Sequence, residues 1–173
     1  MIGAVTFWIQ VLLALLPMYF ANSSAMFLGG KTPLDLNAKA WDGRPWLGKG
    51  KTFKGTFSGV FIGTVAAVLI ANLVPAWTAQ IFENYVLFGF MVSIGAVLGD
   101  LAGSFLKRRL NIESGKPTLL LDQLDFLTGG IILGSIFFVP SLLQIAAMIF
   151  LTLLVHRIAN WIAFKAQLKE VPW

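Results

Sequence analysis

Long apolar runs dominate this chain, and its charged residues are gathered between the runs rather than interleaved with them. A helix needs about 20 predominantly apolar residues to cross a bilayer. Five segments approach that length: about 2–28, 56–74, 85–106, 122–139 and 141–164. The first contains Pro17 and the polar string Asn22–Ser23–Ser24, which predict a kink or partial unwinding. The second closes at Pro75 and the fourth at Pro140. The fourth is short: its continuous apolar part, 126–139, makes roughly 21 Å of helix against a hydrocarbon core of about 30 Å. Starting it at Asp122 extends it to roughly 27 Å. That start puts Asp122 and Asp125 in its first turn, at headgroup depth. The pattern predicts an all-α integral membrane protein of about five transmembrane helices, in a single domain over residues 1–173.

Composition agrees. The chain is 57% hydrophobic with mean hydropathy +0.80, against about 45–50% apolar for soluble domains. The absence of cysteine excludes disulfides, zinc–thiolate sites and cysteine nucleophiles, and the single His156 excludes a multi-histidine metal site. Residues 1–16 carry no basic residue and so lack the charged start of a signal peptide; they are expected to remain as a span.

Charge sets the orientation. Five spans place Lys31, Lys39, Arg44, Lys49, Lys51 and Lys54 on the same side as Lys107, Arg108, Arg109 and Lys116. Arg157, Lys165 and Lys169 join them at or beyond the end of the fifth span. These are all 13 Lys and Arg of the chain, while the opposite side carries only Glu83. The positive-inside rule makes the basic side cytoplasmic. The N-terminus is then outside, the C-terminus is cytoplasmic, and cytoplasmic loops cover about 29–55 and 107–121.

Small residues recur every fourth position: Gly55, Gly59 and Gly63; Gly95, Gly99 and Gly103; Gly130 and Gly134. This spacing lets helix backbones approach closely. Asp100 follows Gly99 and is expected to face protein rather than lipid, with Ser104 and Lys107 on its own helix face. An acid within a membrane span is costly and marks function by default; the plainer alternative is neutralisation by Lys107 or Arg108. Asp122 and Asp125, at i and i+3, share a face. Either alone would serve the helix dipole, worth about 0.3–1 kcal/mol. With Asp100 at similar depth, three carboxylates beside a basic cluster suggest a shared cation and bound phosphates, and oxygen ligands without His or Cys favour Mg²⁺.

The string Gly48–Lys49–Gly50–Lys51–Thr52–Phe53–Lys54–Gly55 resembles a phosphate loop but is not a Walker A element, because Pro45 stands where that motif needs glycine. It is a cationic loop running into a helix N-terminus, where exposed amides, the helix dipole and Lys51 could hold a polyphosphate. General attraction to anionic lipid is the equal alternative. Asn22 lies in a polar break that either lines a substrate cavity or merely rejoins the helix. Asp42–Gly43–Arg44 matches the opening of the CDP-alcohol phosphotransferase signature, but the continuation is missing and the match is set aside.

The strings Gly99-Asp100-Leu101-Ala102-Gly103-Ser104-Phe105-Leu106-Lys107-Arg108-Arg109-Leu110, then Pro117, then Leu120-Leu121-Asp122-Gln123-Leu124-Asp125-Phe126 resemble the CDP-archaeol synthases. Ala21-Asn22-Ser23, Gly29-Gly30-Lys31-Thr32-Pro33-Leu34-Asp35, Asp42-Gly43-Arg44 and Gly48 through Gly55 fit the same family, so the likeness spans roughly residues 20–128. The phosphatidate cytidylyltransferases are wider relatives. Lys107–Arg108 and the Asp122/Asp125 pair match their signature, whereas Glu113–Ser114, the Thr118–Leu121 run and Gln123 depart from it, which argues against phosphatidate as substrate.

The resemblance implies a CTP-dependent cytidylyltransferase acting on digeranylgeranylglyceryl phosphate, an isoprenoid glycerol-phosphate lipid, with release of pyrophosphate. It implies that Asp100, Asp122 and Asp125 hold one or two Mg²⁺ ions, with K⁺ an open addition. Lys51, Lys107 and Arg108 would neutralise phosphates, with Thr52, Lys54 and Asn22 beside them. Lys107 would join the three aspartates as the catalytic set. No nucleic-acid partner is expected, and the glycine faces suit a monomer or a dimer equally. A small anion transporter is the alternative from another class; it predicts acids and bases facing across a midplane site rather than gathered at one interface. A scaffold recruiting partners through basic loops would tolerate neutral residues at Asp100 and Asp122.

Overall fold

The computed structural model describes residues 3–114, 116, 118, 121–165 and 167, with backbone alone at Ala163. Pro117, Leu119, Leu120 and Lys169, used above, lie outside the described residues. Among the described residues six helices follow one another: α1 (Ala4–Phe27), α2 (Phe53–Leu73), α3 (Pro75–Ile81), α4 (Tyr85–Arg109), α5 (Leu121–Gly134) and α6 (Leu142–Lys165). The described residues contain no β-strand, only two isolated bridges, Pro33 with Thr52 and Lys39 with Pro45. The chain forms two compact units, Met1–Val139 and Pro140–Trp173. The first holds α1–α5 and all of the candidate chemistry; the second is α6.

Four helices among the described residues are long and apolar enough to cross a membrane: α1, α2, α4 and the Leu142–Ile162 part of α6. The fourth expected span is shorter than the sequence predicts. Helix α5 has 14 residues and stops at Gly134, where Phe137 and Phe138 both direct their N–H groups to the Gly134 carbonyl. The chain leaves the helix there to place the Phe138 ring against Phe82 and Phe88, at centroid distances of 5.3 and 6.4 Å. Helix α3 was not expected. Pro75 ends α2 as foreseen but then serves as the first residue of a new helix, where its missing N–H costs nothing.

Helix α1 corrects a second expectation. It continues unbroken through Pro17 and Asn22–Ser23–Ser24. Ser24 satisfies its hydroxyl within the helix by donating to the Phe20 carbonyl at 2.5 Å. Pro17 has no N–H to donate to the carbonyl four residues earlier, and that carbonyl belongs to Leu13. The buried Tyr85 hydroxyl at the start of α4 donates to it instead, at 2.7 Å. A partner from a neighbouring helix is what makes proline tolerable inside a span.

The glycine stripes are the seams of the first unit. A Cβ added at Gly55 would lie 2.6 Å from the Ala25 carbonyl oxygen, and one at Gly59 would meet Ala21, Ala25 and Val97, so α2 rides directly on α1 and α4. On α4, Gly95 and Gly99 pack backbone to backbone against Gly129 and Asp125 of α5. The same ends of these helices carry the polar loops: residues 28–52 join α1 to α2, and 110–120 join α4 to α5. The basic residues of both loops therefore share one end of the unit, whereas α3 and Glu83 lie in the connection between α2 and α4 at the other. Replacing Tyr85 by Phe leaves the Leu13 carbonyl unpaired, and is expected to lower stability by about 1–3 kcal/mol, read as a lower unfolding temperature in detergent.

Candidate active site

A 25-residue connection would ordinarily be slack. Residues 28–52 instead form an ordered clasp across the ends of α2 and α4. Its internal organiser is Asp35. One carboxylate oxygen accepts the Asn37 N–H at 3.0 Å; the other accepts the N–H groups of Leu47 and Gly48, each at 2.9 Å. Partial burial pushes this carboxyl up, but the donors from Gly48, Leu47 and Asn37 outweigh it and hold Asp35 below the ordinary carboxylate range. Leu34 donates its N–H to the Lys51 carbonyl at 2.7 Å, and Lys51 donates its own N–H to the Gly48 carbonyl at 3.1 Å.

The clasp is also tied to the end of α4. The Arg109 guanidinium donates to Asp42 Oδ1 at 2.8 Å and to the Pro45 carbonyl at 2.6 Å, and lies over the rings of Trp41 and Phe105 at 5.4 and 5.0 Å. Arg44 returns the contact by donating to the Arg109 carbonyl at 2.7 Å. Trp46 stacks on Phe105 at 5.6 Å. The opposite face of α4 is turned toward the carboxylates.

There, Lys51 reaches down from the clasp and places its ammonium 2.7 and 2.6 Å from the two oxygens of Asp100. The Asp100 partner is thus a loop lysine rather than Lys107, which lies about 10 Å further along the same helix. Lys107 pairs with Asp122 instead. Asp122 also accepts from the Thr118 N–H at 2.8 Å and the Thr118 hydroxyl at 3.0 Å. Lys107 and Arg108 are only 9% and 7% exposed, so both are cations drawn into the bundle and dependent on nearby carboxylates. The Nε of Arg108 has no hydrogen-bond partner.

Asp125 sits between these pairs, within electrostatic reach of Asp100, Lys107 and Lys51. One of its oxygens accepts the Phe126 N–H at 2.7 Å. The other, Oδ2, is buried, has no hydrogen-bond partner, and lies against Gly103 of α4, where any side chain would displace it. An unpartnered buried carboxylate oxygen costs several kcal/mol unless a proton or a cation meets it.

The structure brings Asp100, Asp125, Lys51 and Lys107 into one neighbourhood, with Asp122 bound to Lys107. It does not close the three aspartates around a single point: no group of three Asp, Glu, His or Cys side chains able to hold a metal is present among the described residues. Asp100 and Asp122 are turned toward their lysines. Thr52 is spent on structure. It caps α2, accepting the Gly55 N–H at 3.1 Å and the Gly30 N–H at 3.0 Å, and it is buried. The expected cradle of free amides is largely filled from within, since Leu47 and Gly48 serve Asp35, Gly55 serves Thr52 and Phe53 serves the Thr32 carbonyl. Lys54 is exposed in the first turn of α2 with its stem against Gly30. Asn22 is half-buried on the continuous helix α1. Sequence reasoning missed Asp35, Trp41 and the Asp42–Arg109 pair. The signal was present as acids in turn-forming strings, Thr-Pro-Leu-Asp and Asp-Gly-Arg, within a loop too long to be ordered without them.

Paired lysines and carboxylates gathered at one end of an apolar helical bundle are the equipment of a membrane-embedded enzyme for phosphate-bearing substrates. Residues 4–173 match the family described as CarS-like, CDP-archaeol synthase. The chain is 42% identical to the CDP-archaeol synthase of Thermococcus gammatolerans over 171 residues, covering 99% of each chain. It is 41% identical to that of Methanocaldococcus jannaschii over 165 residues, covering 92% of this chain and 93% of the relative. A solved intramembrane enzyme for archaeal membrane lipids biosynthesis superposes with a TM-score of 0.80 at 34% identity, over 87% of this chain and 92% of its own. The chain belongs to the CDP-archaeol synthase family, cytidylyltransferases of archaeal lipid synthesis.

The depressed Asp35 carboxyl gives a pH dependence whose sign is fixed. Its stabilisation of the clasp is fully present above the ordinary carboxylate range and is lost as pH falls through its lowered value. Hydrogen exchange followed against pH is expected to show the Leu47 and Gly48 amides protected through the ordinary aspartate range and released only below it.

Proposed function

We propose that this chain transfers the cytidylyl group of CTP to digeranylgeranylglyceryl phosphate at the basic end of its bundle, on the cytoplasmic face of the cell membrane. A lipid phosphate oxygen forms a bond to the α-phosphorus of CTP. The bond from that phosphorus to the bridging oxygen breaks, and pyrophosphate leaves with the electron pair. The reaction needs no protein nucleophile, because transfer at phosphorus is governed by positioning and by stabilising charge. The observation that carries the reading is the unpartnered Asp125 oxygen set between two lysine–carboxylate pairs. It leaves the neighbourhood short of positive charge at one atom and supplied with exchangeable cations around it.

The candidate ligands are all carboxylate oxygens, one of them without a partner, which suits a hard divalent cation once Asp100 and Asp122 turn from their lysines toward Asp125. Asp125, Asp100 and Asp122 would hold Mg²⁺, as one or two ions and with or without K⁺. The metal would supply neutralisation of the phosphate charge. The chain's own residues do the rest. Lys51 and Lys107 already point at carboxylates, and each would exchange that partner for a phosphate oxygen. Arg108, buried beside them, adds a fixed positive charge for the triphosphate or for the leaving pyrophosphate. The isoprenoid chains would lie in hydrocarbon along the exposed apolar faces, such as that bearing Phe57 and Phe61 on α2.

Purified protein incubated with Mg²⁺, CTP and digeranylgeranylglyceryl phosphate is expected to release pyrophosphate only when both substrates are present, and to stop with EDTA. Asp125→Asn is expected to lower the rate at least about 100-fold. Release with phosphatidate in place of the ether lipid would change the acceptor. No release with either lipid, or full activity in Asp125→Asn, would contradict the reading.

A further inference from the structure

From the contacts of the clasp we infer that Asp35, which touches neither Asp100, Asp122, Asp125 nor any expected phosphate contact through its side chain, is the positioning residue that sets Lys51. This rests on the reading of Lys51 as a phosphate contact. The clasp has no helix or strand of its own, only the isolated bridges Pro33–Thr52 and Lys39–Pro45, and one carboxylate ties its 34–37 stretch to residues 47 and 48. Asp35 gathers three N–H groups from two distant stretches of the loop, at 3.0, 2.9 and 2.9 Å. The two residues after it, Leu36 and Asn37, adopt φ of 48° and 62°. Asparagine adopts this region readily, but for Leu36 it is costly and persists only where the surroundings impose it. Here the strained turn swings the Asn37 N–H onto Asp35 and aims the other carboxylate oxygen at residues 47 and 48.

Gly48 then turns at φ 96°, which only glycine adopts freely, with Ser114 and the Arg108 side chain packed against it. Three residues later the Lys51 backbone is held on both sides. Its N–H goes to Gly48, which Asp35 fixes, and its carbonyl receives the N–H of Leu34, the residue before Asp35. The ring from 34–35 to 47–51 is therefore closed around Asp35, and the Lys51 ammonium projects from it to Asp100. The same contacts explain why Asp35 is an acid. Two amides converging on one oxygen form an anion site, and an internal carboxylate fills it permanently. Incoming phosphate is left to meet side chains rather than these amides.

The test compares CTP binding without lipid, by equilibrium dialysis, in wild type, Asp35→Asn, Lys51→Ala and the double variant, alongside unfolding temperature and tryptic cleavage after Lys49 and Lys51. Asparagine keeps the size of the side chain but cannot accept three N–H donors as a charged group. Asp35→Asn is expected to unfold within a few degrees of wild type, to be cleaved faster in the clasp, and to bind CTP about 10–100-fold more weakly. Because Asp35 acts through Lys51, the double variant is expected to bind no worse than Lys51→Ala alone. Four results would each overturn the assignment: unchanged CTP binding, unchanged cleavage, a further loss in the double variant, or a fall in unfolding temperature beyond about 10 °C. If wild type itself fails to bind CTP, the nucleotide reading fails, and cleavage of the Asp35→Asn clasp still decides whether Asp35 fixes the loop.

Discussion

A carboxylate can enter an apolar helix bundle only where a neighbouring helix leaves room for it, and here that room is a hydrogen atom wide. Asp125 lies against Gly103, one turn from the place where Gly99 meets the Asp125 backbone and two turns from the contact of Gly95 with Gly129. Three glycines on one face of α4 thus let α5 approach at backbone distance. The approach brings the first turn of α5 alongside Lys107, and with it the Asp122 partner that makes a buried lysine tolerable. A side chain anywhere on that face would separate the helices, and the charged groups would lose one another before they lost their places in the fold.

Once the acids are admitted, charge balance dictates much of the remaining architecture. Asp100 has no suitable cation on its own helix within contact, so the counter-charge comes from a loop, and a loop can deliver a lysine only if it is itself ordered. The clasp meets that need with Asp35 inside and Arg109 outside. Arg109 does so on the face of α4 turned away from the carboxylates, where it is held by Asp42, Trp41 and Phe105. The two faces of one helical end thereby divide the labour: one anchors the clasp and the other receives its lysine. Asp125 is the exception to the balance, with one buried oxygen that no hydrogen-bond donor meets.

Four of the five expected spans, the gathering of both basic loops at one end of the first unit and the glycine seams were legible in the sequence because each depends on a short period or a simple sum. Asp100, Asp122 and Asp125 were legible as acids out of place in apolar runs, and the family resemblance rested on those same strings. The pairing was not legible. That Lys51 rather than Lys107 meets Asp100 depends on how a 25-residue loop folds back, and no local pattern encodes a contact across 49 positions. The continuity of α1 through Pro17 depended equally on a distant group, the Tyr85 hydroxyl. The early end of α5 followed from aromatic packing around Phe138. Thr52 looked like a phosphate ligand because hydroxyl residues at helix N-termini serve either as caps or as ligands, and only the position of Gly30 and Gly55 decides which.

In the proposed function the glycine seam serves to admit Asp125 for catalysis. That role is tested most directly by CTP- and lipid-dependent pyrophosphate release in Gly103→Ala, with Gly3→Ala as a control, since a Cβ at Gly3 meets nothing within 4 Å. Gly103→Ala is expected to insert into the membrane and remain helical but to lose at least about tenfold in rate, while Gly3→Ala is expected to turn over like wild type. A Gly103→Ala enzyme as active as wild type would mean that the position of Asp125 does not govern the reaction.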